Sequence, residues 1–456
     1  MILRLILLSI PIQAFYYQPH LSRSYTSSPA LNFSPHFNPH INQYINQHAP
    51  KSDVTSLFST PTDNQIAPAN SIEEAIKPLQ DIGVDILGVE ANEVIGFQCA
   101  FWSILNDLIS SPSGKTLGVV FEQLPSSAIE ALTTDFKSLQ SQTRLMDHLP
   151  ELHRVTLATT PLTTPLGSVM LIKTSPSTPS TLPPLSPLPP PTPQQTEKAL
   201  KSFVSRIVVR GACPYTESTT LAATSIPGVK PGPVGYRYSE EYNVAGVMKA
   251  FWESCMELYQ TKEEDLSTIL LSIPNVGRYE EGEKGHDRFK TVVEIVSRYL
   301  CFFKADSTFG LVHFNPFYNR ACIHPVDQPS YGNLPPEGWI NPMFSHISAP
   351  DTLTPSEVSL SNYQRRSPYT MINILRGSQL DMATGGKSVV KLRVGEEVVD
   401  ASGVGTYVRN ARKMRDYGEE FLKDMLEREI RGEGEEGWER YYSEEHKRHY
   451  LHNEAT

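Results

Sequence analysis

The sequence predicts an α/β protein of two α/β units, the second a small, partly parallel sheet covered by helices, with a proline-rich linker joining them. Three observations carry this prediction. The 456-residue chain is longer than one ordinary core requires. Stretches with helical apolar spacing alternate with short, continuous apolar runs typical of strands. The 37 prolines are clustered rather than evenly spread, which indicates linker sequence.

The chain begins with a pattern typical of a targeting segment. Arg4 lies within an apolar run that ends near Ala14 and is too short to span a bilayer, so residues 1–14 are predicted to be a signal peptide. Residues 15–70 are interpreted as a transit-peptide-like disordered segment, because the part up to Ser52 contains no Asp or Glu and is rich in Ser, Asn and Pro. The pair resembles the bipartite presequences of algae with secondary plastids. This implies plastid localisation without a membrane span after processing; secretion with a disordered mature start is the alternative.

Residues 71–174 are predicted to form the first α/β unit. Helical spacing covers Ala91 to Ser110 and Ser126 to Leu139, and short apolar runs indicate strands. These runs are Thr116 to Phe121, Val155 to Ala158 and Ser168 to Ile172. The segment Ser113-Gly114-Lys115-Thr116 is not interpreted as a P-loop. Ile109 stands where that motif needs its first glycine, and the helix precedes the strand.

Residues 175–194 are predicted to be a linker. Nine of the nineteen residues from Ser175 to Pro193 are proline, which favours an extended polyproline conformation over helix or sheet. Such a segment could also dock to proline-binding modules.

Residues 195–430 are predicted to form the second unit. Helices are expected at Gln195 to Arg210, Val244 to Tyr259, Asp287 to Phe303 and Tyr407 to Arg431, with Gly211 ending the first of them. Strands are expected at Tyr236 to Tyr238, Thr268 to Ile273 and Gly310 to Phe314. Helices long enough to cross over between these strands predict parallel pairing in part of the sheet.

The stretch from Asn362 to Arg376 predicts a polar loop that leads into a helix. Ser367 is a favourable N-cap residue, and Pro368 would occupy the first helical position. Arg365 and Arg366 would then lie beside the positive end of a helix dipole, which predicts an anion site. Tyr318 and Tyr363 could supply its apolar wall. The alternative is a capped helix whose arginines are solvated or paired with surface acids.

This unit resembles a bacterial family known as domain of unknown function 1415 over about residues 195–426. The resemblance rests on motifs that occur in the family's order: Cys213-Pro214-Tyr215, Asp287-Arg288-Phe289, Phe314 to Tyr318, Asn362 to Tyr369 and Arg409-Asn410. It implies a fold and a set of positions but no activity. Asn315 and Asn373 stand where the family has histidines, so a mechanism that needs those imidazoles is not expected here.

Cys213 is the candidate nucleophile of the chain. It follows a helix C-terminus, where the dipole disfavours a thiolate, so reactivity would require Arg210, Arg365 or Arg366 nearby. A structural thiol or a ligand contact is the alternative. His313, Cys322, His324 and Asp327 match no diagnostic metal-ligand spacing, so no metal site is predicted.

Residues 431–456 form a charged tail that resembles the first two strands of a WW domain. Gly437-Trp438-Glu439 and the later Tyr450 to Asn453 carry this resemblance, while a third strand is absent from the sequence. A complete module of this kind would bind proline-rich partners.

Composition limits the function classes. A net charge of −10 argues against nucleic-acid binding, and five widely spaced cysteines argue against a disulfide framework. The sequence favours a protein that binds or acts on an anionic small metabolite, and identifies no cofactor. An enzyme and a binding protein both fit this pattern. The alternative is an interaction or scaffold protein that uses the linker and the WW-like tail.

Overall fold

A computed structural model describes most of the chain. The described residues are 3–5, 72–81, 83–89, 94–160, 166–181, 189–213, 216, 218–224, 226, 228–320, 334–349, 352–383 and 389–433. They divide into two compact units. The first is Met1–Phe97, Ser111–Asp147 and Leu152–Ser177, and the second is Gln98–Ser110, His148–Glu151 and Thr178–Thr456.

The first unit is built on a five-stranded sheet. Its strands are β1 (Leu3–Leu5), β2 (Asp85–Val89), β3 (Thr116–Pro125), β4 (Val155–Thr160) and β5 (Leu166–Thr174). The helices in this part of the sequence are α1 (Ile72–Asp81), α2 (Val94–Ser110), α3 (Ser126–Gln140) and α4 (Thr143–Met146), followed by a 3₁₀ turn at Pro150–Arg154. The strand order is β1-β2-β3-β5-β4. β2 is parallel to both β1 and β3, whereas β5 is antiparallel to both β3 and β4. The strands and longer helices predicted between residues 91 and 174 are confirmed.

The second unit contains a second five-stranded sheet and a separate two-stranded hairpin. The sheet strands are β6 (Leu221–Ala222), β7 (Gly232–Tyr238), β8 (Thr268–Ser272), β9 (Phe309–Phe314) and β10 (Met371–Arg376). The hairpin strands are β11 (Val390–Val394) and β12 (Glu397–Ala401). Its helices are α5 (Pro193–Phe203), α6 (Val244–Gln260), α7 (Gly282–Phe302), α8 (Glu337–His346), α9 (Pro355–Leu360), α10 (Gly377–Ala383), α11 (Val404–Tyr417) and α12 (Glu419–Ile430). A π-helical segment, Val204–Ala212, continues α5, and a 3₁₀ turn covers Ser361–Arg365.

The strand order of the second sheet is β6-β7-β8-β10-β9. β7 and β8 pair in parallel across the α6 connection, which confirms the predicted partly parallel sheet. β10 is antiparallel to both of its neighbours, β8 and β9. One face packs against α5, the π-helical segment, α11 and α12, through a cluster that includes Phe203, Leu270, Phe314, Met371 and Met414. α6 and α7 also contact the sheet. The Phe289 ring of α7 contacts the His313 ring of β9. Because side chains alternate along a strand, His313 points to the face opposite Phe314 and the cluster.

Local sequence explains where the first helix of this unit begins. Thr192 Oγ1 accepts a hydrogen bond from the Gln195 backbone N–H at 3.2 Å, and Gln195 Oε1 accepts one from the Thr192 N–H at 2.9 Å. This capping box and Pro193 in the first turn place the helix start two residues before the predicted Gln195. The predicted stop at Gly211 is wrong, because helical backbone continues to Ala212 in π geometry. The Cys213 N–H donates to the Val208 carbonyl oxygen at 3.1 Å.

Two further predictions of helical structure are wrong. The helix predicted at Ser367 is absent: a 3₁₀ turn ends at Arg365, and Met371–Arg376 is strand β10. Because Met371 and Ile372 bond to partners on both sides, pairing with β8 and β9 outweighs the local capping signals. The long helix predicted from Tyr407 to Arg431 is two helices, separated at Gly418, whose φ of 77° ends α11.

Several predicted segments lie largely outside the described residues. They are the targeting region apart from Leu3–Leu5, residues 182–188 of the linker, the Cys322 to Asp327 loop and the tail beyond residue 433. Plastid localisation, the linker's polyproline conformation and the scaffold function therefore stay predictions. Within the described part of the chain, no helix has the length and apolar character needed to cross a membrane.

Candidate functional site

The second unit contains a cavity of about 250 Å³ on the face of its sheet that packs against α5 and the π-helical segment. Strand register shows how its floor is built. Met371 pairs with Phe314, and Asn373 pairs with both Leu270 and Val312. Directly paired residues point to the same face of a sheet, so the floor consists of successive rows of side chains from adjacent strands. The floor residues are Val234, Thr268, Leu270, Val312, Phe314, Met371, Asn373 and Leu375.

The walls come from segments that are distant in sequence. The end of α5 and the π-helical segment contribute Phe203, Val204 and Val208. The chain that follows contributes Cys213, Thr216, Ala222, Ala223 and Ile226, and the start of α11 contributes Ser402, Gly403, Thr406, Tyr407 and Asn410. Gln364, Arg365, Gln379 and Leu380 complete the lining. The cavity is therefore mostly apolar, with a few polar groups from different elements, which is the usual composition of a small-molecule site.

Arg365 is the only residue of formal charge among the described residues that line this cavity. Its guanidinium carbon lies 5.1 Å from the centre of the Phe314 ring, and its Nη1 is buried without a hydrogen-bond partner in the described structure. Burial lowers the pKa of Arg365, while Tyr318, Tyr407 and Cys213 act in the opposite direction. An arginine stays charged under all ordinary conditions. The cavity wall thus carries one positive charge that no carboxylate of the lining compensates.

The neutral polar groups of the lining are largely satisfied by one another. Asn410 Nδ2 donates to Gln364 Oε1 at 2.9 Å, and Gln364 Nε2 donates to the Ser361 carbonyl oxygen at 2.8 Å. On the floor, Thr268 Oγ1 lies 2.6 Å from Asn373 Oδ1. These bonds hold the side-chain amides in fixed positions around the cavity.

Cys213 lies on the cavity wall just after the π-helical segment. The Thr216 hydroxyl donates to its Sγ at 3.4 Å. Of the arginines considered as partners, Arg365 also lines the cavity and interacts electrostatically with this thiol. The structure therefore brings three predicted site residues together: Cys213, Arg365 and Asn373.

Three other predicted residues, Arg366, Tyr363 and Ser367, do not line the cavity. Arg366 Nε donates to the Tyr318 carbonyl oxygen at 3.0 Å, and its guanidinium carbon lies 4.4 Å from the centre of the Tyr363 ring. The Ser367 hydroxyl donates to the Tyr369 carbonyl oxygen, and no helix begins there. The helix-dipole argument for an anion site at Ser367 is therefore wrong. Of these two arginines, only Arg365 lines the cavity.

Asn315 and Tyr318 belong to a buried polar cluster next to the end of β9. Asn315 Nδ2 donates to the carbonyl oxygen of Gly277 and to Thr370 Oγ1, both at 3.0 Å, and Asn315 Oδ1 accepts from the Phe317 N–H at 2.8 Å. His286 Nδ1 lies 3.3 Å from the same Oδ1. The amide of Asn315 is fully used in holding these segments together, so it acts as a structural residue in this geometry.

Two histidines complete this cluster. His313, two residues before Asn315, is 2% exposed, and its Nδ1 is buried without a hydrogen bond in the described structure. Burial lowers its pKa well below the ordinary range, and the positive charges of Arg365, Arg320 and Lys290 add to this shift. Burial also lowers the pKa of His286. Both rings are therefore neutral at physiological pH.

Few features of the sequence predict the other residues of the cavity lining. Tyr407 and Gln379 belong to stretches without a distinctive motif, and the apolar floor residues resemble any buried strand. Strand alternation predicts that Val312 and Phe314 lie on one face of a sheet. It does not predict which strands are neighbours, so it could not identify the other residues of the cavity floor.

Comparisons with known proteins supply no relative for this arrangement. No protein-family model, no curated protein and no solved structure matches the chain.

Proposed function

We propose that the second unit binds a small, monoanionic carboxylic acid with an apolar body, held in the cavity with its carboxylate at Arg365. The observation that carries this proposal is the guanidinium of Arg365, which is the one formal charge among the described residues of a mostly apolar lining and has an unsatisfied, buried Nη1. A buried charge without a counter-ion is costly, so a bound anion would offset that cost.

The charge balance favours a carboxylate over a phosphate. A single guanidinium matches one negative charge and presents the paired donors that a carboxylate accepts in bidentate geometry. A phosphate monoester carries about −1.5 to −2 charges at neutral pH and would be left undercompensated in this lining. The volume of about 250 Å³ suits a small ligand.

Octanoate, 1-octanol and octyl phosphate form a suitable set of probes because they share one apolar chain and differ in the head group. Calorimetric titration of the full chain should show octanoate binding that weakens at least tenfold in Arg365→Met, since hydrogen bonds to charged groups contribute about 1.5–3 kcal/mol. Octanol should bind both proteins equally. Arg393→Met serves as the matched control, because Arg393 is exposed on the hairpin strand β11 and away from the lining.

Four outcomes would contradict the proposal. Failure of octanoate to bind the wild type would remove the anchoring role of Arg365. Equally tight binding of octanoate to Arg365→Met and to the wild type would remove it as well. Tighter binding of octyl phosphate than of octanoate would show that the charge argument is wrong. An equal loss in Arg393→Met would mean that general surface charge, and not the cavity, attracts the anion.

A further inference from the structure

Asn373 is a polar residue in the middle of an otherwise apolar part of the cavity floor. It lies on β10 and pairs with Leu270 on one side and Val312 on the other, so its side chain is flanked by two apolar side chains of the same face. An amide in such a row weakens apolar packing, because its polar atoms need hydrogen-bond partners that Leu and Val cannot supply.

The structure satisfies only one end of this amide. Thr268 Oγ1 lies 2.6 Å from Asn373 Oδ1, and the same hydroxyl lies 2.8 Å from the Ile374 carbonyl oxygen. A side-chain amide has a donor end and an acceptor end, and one of them is engaged by Thr268. In the described part of the chain, the Nδ2 end makes no hydrogen bond, and Asn373 lines the cavity. A ligand can therefore bond to Asn373 from the cavity side.

Strand geometry gives the spacing between this amide and the charged anchor. The Arg365 guanidinium lies over Phe314, and Phe314 pairs with Met371. Asn373 is two residues beyond Met371 along β10. At roughly 3.4 Å per residue, the row that contains Asn373 is about 7 Å from the row of Met371 and Phe314, over which the guanidinium lies. The next row in the same direction contains Leu375 and Thr268. Asn373 thus lies partway along the floor, not at its far end.

We infer that the ligand is a medium-chain carboxylic acid with an oxo or hydroxyl oxygen near the middle of its chain, which Asn373 binds. This inference rests on the proposed function, because the carboxylate at Arg365 sets the position of the rest of the ligand. It adds a second point of recognition, and it assigns Asn373 a role in specificity. A plain fatty acid would leave the free end of the amide without a partner in the bound state.

The test compares octanoate with its keto acids on the wild-type full chain. We expect 5-oxooctanoate or 6-oxooctanoate to bind about fivefold to tenfold more tightly than octanoate, the gain typical of one added hydrogen bond. The near-terminal ketone in 7-oxooctanoate should give a smaller gain. In Asn373→Leu, the preference for the mid-chain ketones over octanoate should disappear.

The outcomes separate this inference from the proposed function. If octanoate binding depends on Arg365 but no keto acid binds more tightly than octanoate, the second recognition point is wrong and the carboxylate site stands. The same conclusion follows if Asn373→Leu keeps the full preference. If octanoate itself does not bind, both proposals are overturned. The wild-type comparison is decisive even if Asn373→Leu fails to fold.

Discussion

Arg365 and Arg366 are adjacent in sequence but occupy different environments. Arg366 is half-buried, with a hydrogen bond to the Tyr318 carbonyl oxygen and the Tyr363 ring beneath its guanidinium. Arg365 lines the cavity with an unsatisfied Nη1. Arg366 uses its Nε within the protein and does not line the cavity, whereas Arg365 does line it. The two guanidiniums therefore have separate roles.

This difference predicts opposite results for two equivalent substitutions. Arg366→Met should lower the free energy of unfolding by about 1–2 kcal/mol, because it removes a charged hydrogen bond and a cation–π contact. Octanoate affinity should change less than twofold. Urea unfolding followed by fluorescence, together with calorimetric titration, measures both quantities. A large loss of octanoate affinity in a folded Arg366→Met protein would return the anchoring role to Arg366.

The sequence alone did not distinguish Arg365 from Arg366. Because Arg365 and Arg366 are adjacent and both precede Ser367, the predicted anion site included both of them equally. What distinguishes them is the ring that each guanidinium covers, Phe314 for Arg365 and Tyr363 for Arg366. Those rings come from β9 and from the 3₁₀ turn, so the distinction depends on tertiary structure.

Among the secondary-structure elements, β10 shows most clearly why periodicity alone was insufficient. Its apolar run, Met371 to Leu375, is short and interrupted only by Asn373, a pattern compatible with a buried strand or with a helical turn. The Ser-Pro signal favoured a helix. Pairing on both edges, with β8 and β9, instead makes this segment a central strand. The elements with longer patterns, α6 and α7, were predicted correctly because their helical spacing persists over several turns.

The π-helical segment is held to α12 by a buried ion pair. Arg206 Nε and Nη2 donate to the two carboxylate oxygens of Glu429 at 2.7 and 2.6 Å, and both side chains are 1% exposed. The Ser202 hydroxyl also lies 3.3 Å from Glu429 Oε1. This bidentate pair connects the segment that carries Val204 and Val208 of the cavity wall to the C-terminal helix.

We predict that Glu429→Gln destabilises the second unit by about 3–5 kcal/mol, because it leaves the Arg206 charge buried without its counter-ion. The double variant Arg206→Met with Glu429→Leu should recover most of that loss, since apolar side chains of similar size often replace a buried ion pair at little cost. Urea unfolding of the three proteins provides the measurement. If the double variant is as unstable as Glu429→Gln, the loss comes from packing and not from the unpaired charge.

At the scale of the whole molecule, the two faces of the second sheet carry different chemistry. The face with Phe314 and Asn373 borders the cavity, and strand alternation directs His313 to the opposite face. There His313 contacts the rings of Phe289 and Tyr318 at centroid distances of 5.8 and 5.5 Å. The buried histidines therefore do not line the cavity, although the positive charge of Arg365 contributes to the lowered pKa of His313. Their burial affects the stability of the molecule.

The direction in which these histidines change stability with pH follows from the linkage between protonation and folding. Burial lowers the pKa of His313 and of His286 in the folded protein below the ordinary value of 6.5, which the unfolded chain retains. The unfolded chain therefore binds more protons as the pH falls through 6.5, and stability decreases with decreasing pH until the folded-state pKa is reached. Burial raises the pKa of Glu281, which acts in the opposite direction, so total stability alone cannot isolate the histidines.

A comparison of His313→Leu with the wild type isolates the His313 contribution. Between pH 7.5 and 5.5, the wild type should lose about 1.4 kcal/mol more stability than the variant, the linkage free energy of one histidine with an unfolded pKa of about 6.5.

The described tryptophans, Trp102, Trp252 and Trp339, all belong to the second unit, so their fluorescence during urea unfolding follows its transition. His346→Asn is the matched control, because His346 is exposed and should leave the pH dependence of the wild type unchanged. If the free energies of unfolding of wild type and His313→Leu changed equally with pH, protonation of His313 in the folded protein would carry no free-energy penalty, which contradicts the prediction.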